Sequence, residues 1–442
     1  MVPEPGSIRE RPGALLAWVT VATLFLAQVI SNIDRGMLAL VIDPVRQDLA
    51  ISEIQIALLQ GFAFSVFYVT IGLPLGAVAD RVNRRKLLIA GIVVWSIAAI
   101  GGGFAQGFGA MFTSRIFIGV GEAVLGPCAV TMISDLFPPE KRGRPMALYV
   151  FGSMIAFGLG SLVTGSILEA APRGVFAGLP IIGDFAPWRL AFILTGLSGA
   201  AILVALVLLR EPERRGASGE TFVEAMSFRD GLAAMRARWA VFVPFYGALA
   251  LLAVGGSVAT GWGAVFLTRT FGLAIGEAGQ RLGAAQIAWA IPGAVLAGFV
   301  IDRVSRRYGL AGRVRLAGVL TLLAIPSALA VFISDSEVAI VLLGSIMAIL
   351  AMYGTCMLSV VAEIAPLSLR GFAVALYAFV MTMIGASLGP LAVAGLTEHV
   401  FADPARVGWS MAVVGSLALL ASAALAFLAG GAIVREGKDH RP

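Results

Sequence analysis

Eleven stretches of this sequence contain no Lys, Arg, Asp or Glu and are each long enough to cross a lipid bilayer. They are residues 14–33, 54–79, 87–114, 145–168, 190–209, 239–268, 282–301, 316–334, 338–362, 371–397 and 407–434. A spanning helix needs roughly 18 predominantly apolar residues. The runs are continuous rather than alternating, which favours helices over the strands of a membrane barrel. A twelfth helix is expected between Phe108 and Phe137, where Arg115 and Glu122 interrupt an otherwise apolar stretch. The chain is 59% hydrophobic and 13% charged, against about 25% charged in soluble domains. Its solvent must be largely lipid.

Lys and Arg set the expected orientation. With the N-terminus in the cytoplasm, the outer segments hold only Arg46, Arg173, Arg189, Arg269, Arg281 and Arg406 of the 32 basic residues, and Arg35 and Arg115 lie within the membrane. Both termini are therefore expected on the cytoplasmic side of the cell (inner) membrane, and the first apolar run is expected to remain as a helix rather than be cleaved as a signal peptide. The net charge of +6 then describes loops near anionic lipid, not a nucleic-acid surface. Cys128 and Cys356 both fall inside predicted helices, and the histidines, His399 and His440, lie in a loop and the tail. Neither a disulfide framework nor a metal site is expected. An ATP-binding P-loop is excluded, because the glycine before Lys438 is preceded at the required spacing by Ala432.

The chain repeats itself. Leu49-Ala50-Ile51-Ser52-Glu53 returns as Leu273-Ala274-Ile275-Gly276-Glu277. Gly76-x-x-x-Asp80-Arg81-x-x-Arg84-Arg85 returns as Gly298-x-x-x-Asp302-Arg303-x-x-Arg306-Arg307. Asp135-x-x-Pro138-x-x-x-Arg142-Gly143 returns as Glu363-x-x-Pro366-x-x-x-Arg370-Gly371. The separations are 224, 222 and 228 residues. The expected fold is all-α: twelve transmembrane helices in two six-helix pseudo-symmetric bundles. Residues 1–209 form the first bundle, 210–238 a cytoplasmic linker and 239–442 the second.

The segment from Gly76 to Leu88 resembles the loop 2–3 signature of the major facilitator superfamily, with Asn83 where the signature usually has Gly. The resemblance implies transport rather than enzymatic activity, with no cofactor. It also implies a cytoplasmic gate in which this loop (Gly76, Asp80, Arg81, Arg84, Arg85), its twin (Asp302, Arg303, Arg306) and the acid-to-Arg motifs (Asp135 and Arg142, Glu363 and Arg370) hold the halves together when that side is closed.

Ionisable groups at the bilayer centre are costly, about 2.5–3.5 kcal/mol each on insertion scales. Four are expected well inside: Asp34, Arg35, Arg115 and Glu122. At 1.5 Å per residue, Asp34 lies roughly 30 Å along the first helix and Arg115 roughly 10 Å into the fourth, at similar depth. Glu122 follows two turns deeper on nearly the same face. In the superfamily the first and fourth helices line one cavity. Asp34, Arg115 and Glu122 are thus expected to form an acid–base–acid cluster, in which the shared arginine holds one carboxylate ionised while burial favours the protonated form of the other. Such a cluster is expected to act as a proton switch, with the proton as coupling ion. At the repeat spacing, Asp34, Arg35, Arg115 and Glu122 correspond to Val258, Ala259, Leu343 and Leu350, so the scaffold itself does not need these charges.

Finer motifs resemble the Spinster-like (sphingolipid and lysolipid transporter) branch: Ser31-Asn32-Ile33-Asp34-Arg35, the run from Arg115 to Ala123, Ala375-Leu376-Tyr377 and Gly385-x-x-x-Gly389-Pro390. The resemblance runs from about Gln28 to Trp409. It implies an amphipathic cargo such as a lysophospholipid or sphingoid phosphate, carried by a monomer among membrane lipids. Arg35 or Arg115 would receive the anionic head. Trp262, Trp289, Met352, Tyr353, Met357, Tyr377 and Met381 are the second-half candidates for the tail, with roughly a third expected to face the cavity and the rest to be ordinary packing. Asp-Arg in helix 1 and Gly-x-Gly-Glu-Ala in helix 4 are also similar to organic-anion/proton symporters, so a small organic anion is the alternative. The fifth helix has Gly152, Gly158, Gly160 and Gly165 without a following proline, unlike drug/proton antiporters. A non-transporting receptor or scaffold is a further alternative, though it would need neither paired loops nor a buried acid–base cluster.

Overall fold

The computed structural model describes residues 13–79, 81–178, 180, 182–214, 233, 235–365 and 369–439. Asp80, Pro366 and His440 lie outside the described residues, as does most of the expected linker.

Among the described residues, twelve long helices follow one another. We number them α1 (Ala14–Leu40), α2 (53–79), α3 (Arg84–Gly103), α4 (Phe108–Leu136), α5 (Gly143–Ala170), α6 (Pro187–Leu208), α7 (Trp239–Phe271), α8 (275–308), α9 (310–328), α10 (Ser336–Ile364), α11 (370–400) and α12 (Val407–Asp439). The interrupted twelfth span is present as α4. Successive helices alternate direction, so both ends of the described chain lie on one face of the bundle, called here the termini face; the opposite face is the far face. Large apolar side chains point outward, with Leu15 80%, Leu208 79% and Phe299 72% exposed. Such a surface is stable only against hydrocarbon.

α8 and α9 form one helical stretch, Ile275–Ala328, broken only at Gly309 (φ 61, ψ −155). Only glycine adopts that conformation without strain. The two expected runs therefore meet at a single residue rather than across a basic loop.

Proline and π-turns shape the helices near the centre. Pro127 has no N–H to offer Ala123, which loosens α4 just beyond Glu122. A π-turn at Leu58–Phe62 interrupts α2, and such turns release backbone carbonyls from the regular ladder.

Among the described residues, the first six helices meet the last six where α5 packs on α8 and α2 on α11, and α1 also packs on α7. α5 packs on α8 so closely that a Cβ on Gly158 would lie 2.7 Å from the Gly283 carbonyl oxygen, the small-residue packing usual between membrane helices. α2 packs on α11, where a Cβ on Gly61 would strike the Ala386 carbonyl.

Candidate functional site

The intramembrane charges come together between α1, α2 and α4, though not as one shared arginine. Arg115 Nη1 donates to Asp34 Oδ2 at 2.8 Å, and its Nε donates to the Leu59 carbonyl at 3.3 Å. That carbonyl belongs to the α2 π-turn. Glu122 is held instead by Arg35, whose Nε and Nη2 reach Glu122 Oε2 at 3.0 and 2.8 Å. The acid–base–acid expectation is thus corrected to two acid–base pairs. The cause is side-chain direction: residues of a helix lean toward its N-terminus. Arg35 therefore descends from its backbone level towards Glu122, two turns deeper than Arg115.

The two arginines sit in different surroundings. Arg115 is fully buried, while the Arg35 side chain is 24% exposed. The Arg35 guanidinium lies 4.4 Å from the Phe64 ring centroid and 4.7 Å from that of Tyr68, and the two rings stack at 5.2 Å. Cation–π contacts of this kind hold a guanidinium without neutralising it. Asp34 Oδ1 and Arg115 Nη2 are buried without a hydrogen-bond partner among the described residues, and Ser31 of α1 lies beside the Glu122 carboxylate.

Beside this cluster, a cavity of about 380 Å³ opens between the halves. α2 contributes Tyr68, Val69 and Gly72, α4 contributes Ala123 and Pro127, and α11 contributes Phe372, Ala375, Leu376, Ala378, Phe379 and Thr382. Tyr68 and Ala123 join it directly to the Arg35–Glu122 pair. Its wall is apolar apart from Tyr68 and Thr382. Most second-half candidates lie elsewhere. Trp262, Tyr353 and Met357 are fully buried in the core, Trp262 donating to the Pro390 carbonyl at 3.3 Å. Trp289 is 39% exposed on α8, away from the lining. Tyr377 and Met381 are half-buried on α11 next to the lining residues Leu376, Ala378 and Thr382.

At the termini face, the expected gate residues make contacts within each half. Buried Arg84 donates to Asp135 Oδ2 at 2.5 Å, Glu211 Oε1 at 2.8 Å and the Pro212 carbonyl at 2.9 Å. Glu211 also accepts from the backbone N–H groups of Arg84 and Arg85 at 3.3 and 2.7 Å, a carboxylate at a helix N-terminus. The sequence pattern alone did not single out Glu211, although an acid stands there directly at the exit of the sixth apolar run. Arg85 donates to the Leu209 carbonyl at 2.5 Å, and Arg142 to the Phe137 carbonyl at 2.9 Å. Arg81 and Arg370 are exposed, and a Cβ on Gly76 would meet nothing within 4 Å.

In the second half, Asp302, Arg303 and Arg306 remain exposed on the helical continuation of α8. Glu363 pairs instead with the buried Arg313. The expected twin of Arg84 is thus corrected: α8 runs two turns further before it breaks at Gly309, and Arg313, seven residues after Arg306, takes the structural place of Arg84.

The sequence pattern described as Major Facilitator Superfamily matches residues 24–390. The chain is 25% identical over 395 residues to an MFS-type efflux pump of Mycolicibacterium smegmatis, covering 89% of this chain and 87% of that one. It is 28% identical over 250 residues to protein spinster of Drosophila melanogaster, covering 57% of this chain and 39% of that protein; the match thus spans well under half of that relative's length. Among solved structures, it resembles a bacterial homolog of the human lysosomal transporter Spinster in an inward-facing, unoccupied conformation. There the TM-score is 0.76 at 24% identity, over 96% of this chain and 99% of that one. The Spinster likeness expected from the first and fourth helices is thus found in sequence and in fold.

Proposed function

The chain belongs to the major facilitator superfamily, and on that premise we propose that it is a proton-coupled secondary transporter moving an amphipathic anion, such as a lysophospholipid or sphingoid phosphate, by alternating access. The observation that carries this reading is the partly exposed Arg35, paired with a buried acid at the edge of an apolar cavity between the halves. An amphiphile needs a cation for its head and an apolar wall for its tail, and both are adjacent here. The resemblance to Spinster proteins supports the same cargo class.

Coupling follows from the pairing. Protonation of Glu122 weakens its hold on Arg35 and frees the guanidinium for an anionic head. A head bound to Arg35 in turn lowers the need for the Glu122 charge. Asp34 and Arg115 tie α1 to α4 and to the α2 π-turn, which keeps Arg35 in register. With the termini face in the cytoplasm, as the distribution of basic residues favours, the cavity would load from or release to that side. We place the chain in the cell (inner) membrane as a monomer.

The test is the lipid that accompanies the purified protein, identified by mass spectrometry. An anionic single-chain lipid should be enriched with wild type and lost with Arg35→Ala. No enrichment in wild type would turn the proposal towards a small organic anion.

A further inference from the structure

The repeated Leu-Ala-Ile-x-Glu segment is used differently by the two halves. In the second half, Glu277 pairs with Arg281 one turn along its own helix, and both are exposed. In the first half, Glu53 is 2% exposed and faces across to the other half. There Arg269, at the end of α7, donates through Nη2 to Glu53 Oε1 at 2.7 Å and to Asp43 Oδ1 at 2.5 Å; its Nε reaches Asp43 Oδ2 at 3.0 Å. Its Nη1 donates to the Pro404 carbonyl at 3.0 Å. Arg46 shares Glu53 Oε1 at 2.6 Å. From α11, Glu398 accepts the backbone N–H of Ile54 at 3.0 Å and so caps the start of α2 from the opposite half.

The backbone on either side of this cluster is strained. Among the described residues, the non-glycine positions with positive φ are Ala50 (φ 50) and Ala402 (φ 49). Ala50 separates Arg46 from Glu53, and Ala402 separates Glu398 from Pro404. Residues with a Cβ hold this conformation only where the surroundings enforce it.

We propose that Arg269 is the clasp of the far-face gate, binding Asp43 and Glu53 of the first half, with Ala50 and Ala402 as sprung hinges that relax when the clasp opens. Opening the far face requires the Arg269 bonds to Asp43 and Glu53 and the cap on α2 to break together. The hinges return part of that cost, which keeps the closed state reversible. The inference rests on alternating exposure of the two faces and not on the cargo or the coupling ion.

The experiment measures the distance between spin labels at Gln47→Cys and Ala405→Cys, two exposed positions lining the same far-face recess from opposite halves. Both native cysteines are replaced by serine. Removing one charge-assisted hydrogen bond from the closed state favours opening by about tenfold or more. The long-distance population should therefore rise by that factor with Arg269→Gln. It should fall below wild type with Ala50→Gly or Ala402→Gly. Arg406→Gln, which alters a neighbouring arginine paired with Asp403, should leave the distribution unchanged. If Arg269→Gln does not fold, Asp43→Asn combined with Glu53→Gln must show the same rise. An unchanged distribution in the clasp variants, or equal opening with Arg406→Gln, overturns the proposal.

Discussion

Arg35 and Glu122 are joined by two hydrogen bonds to the same oxygen, from Nε and Nη2 to Oε2, and neither goes to Oε1. The arginine therefore does not compete for the position a proton would take. Glu122→Gln keeps the shape of the carboxylate and mimics its protonated charge. The variant should fold, and its uptake into proteoliposomes should no longer change with an imposed pH gradient. Uptake that still follows the gradient would remove Glu122 from the coupling path.

The Asp34–Arg115 pair answers to a different test. Arg115 is fully enclosed, and breaking a buried pair by removing one partner costs about 3–5 kcal/mol because the other charge is left uncompensated. The repeat places Val258 and Leu343 at the equivalent positions, so the scaffold tolerates two apolar residues there. Arg115→Leu alone should lower thermal stability in detergent strongly. Asp34→Val combined with Arg115→Leu should recover most of the deficit while transport stays absent. A double variant no more stable than the single one would mean that the charges hold the fold.

Glu211 joins the start of α3 to the chain leaving α6 by accepting from Arg84 Nε and from two backbone N–H groups. A hydrogen bond to a charged group contributes about 1.5–3 kcal/mol. Glu211→Gln should therefore destabilise the protein by about 2 kcal/mol, read from thermal unfolding. Glu140→Gln, which alters an exposed acid on the same face between α4 and α5, serves as the comparison. Equal effects of the two would argue for general charge removal rather than a specific cap.

The legibility of the sequence followed the physics of each feature. Helix number was readable because lipid demands long uncharged runs, and Arg115 and Glu122 interrupted only one. The four intramembrane charges were readable because burial in lipid makes any charge conspicuous. Their pairing was not, because it depends on the lean of Arg35 along α1 and on a π-turn at Leu58–Phe62 that no composition signals. The cavity wall was legible only in part, in line with the expectation that roughly a third of the second-half candidates would face it. Trp262 and Tyr353 are core residues, Tyr377 and Met381 lie beside the lining, and room is left by Gly72, Ala123, Ala375 and Ala378 among larger residues such as Tyr68, Phe372 and Phe379. The clasp residue Arg269 stood out only as an outer-loop charge, since nothing local in the sequence links it to Asp43.

The second half supplies a direct contest between motif and structure. By motif, Arg306 is the twin of Arg84. By structure, Arg313 is buried, pairs with Glu363, donates to Ser359 Oγ at 3.2 Å and accepts from the Cys356 thiol on its carbonyl, while Arg306 is exposed on α8. Glu363 is itself half-exposed, so the pair should contribute about 1 kcal/mol rather than the value of an enclosed one. Arg313→Gln should lower the thermal midpoint measurably, and Arg306→Gln should leave it within about 0.5 kcal/mol of wild type. Gly309→Ala, which imposes a Cβ on a backbone with φ 61 and ψ −155, should add about 1–3 kcal/mol of destabilisation by straining the break that brings Arg313 into place. If Arg306→Gln proves the more damaging, α8 must end at the motif and not two turns later, and the assignment of Arg313 fails with it.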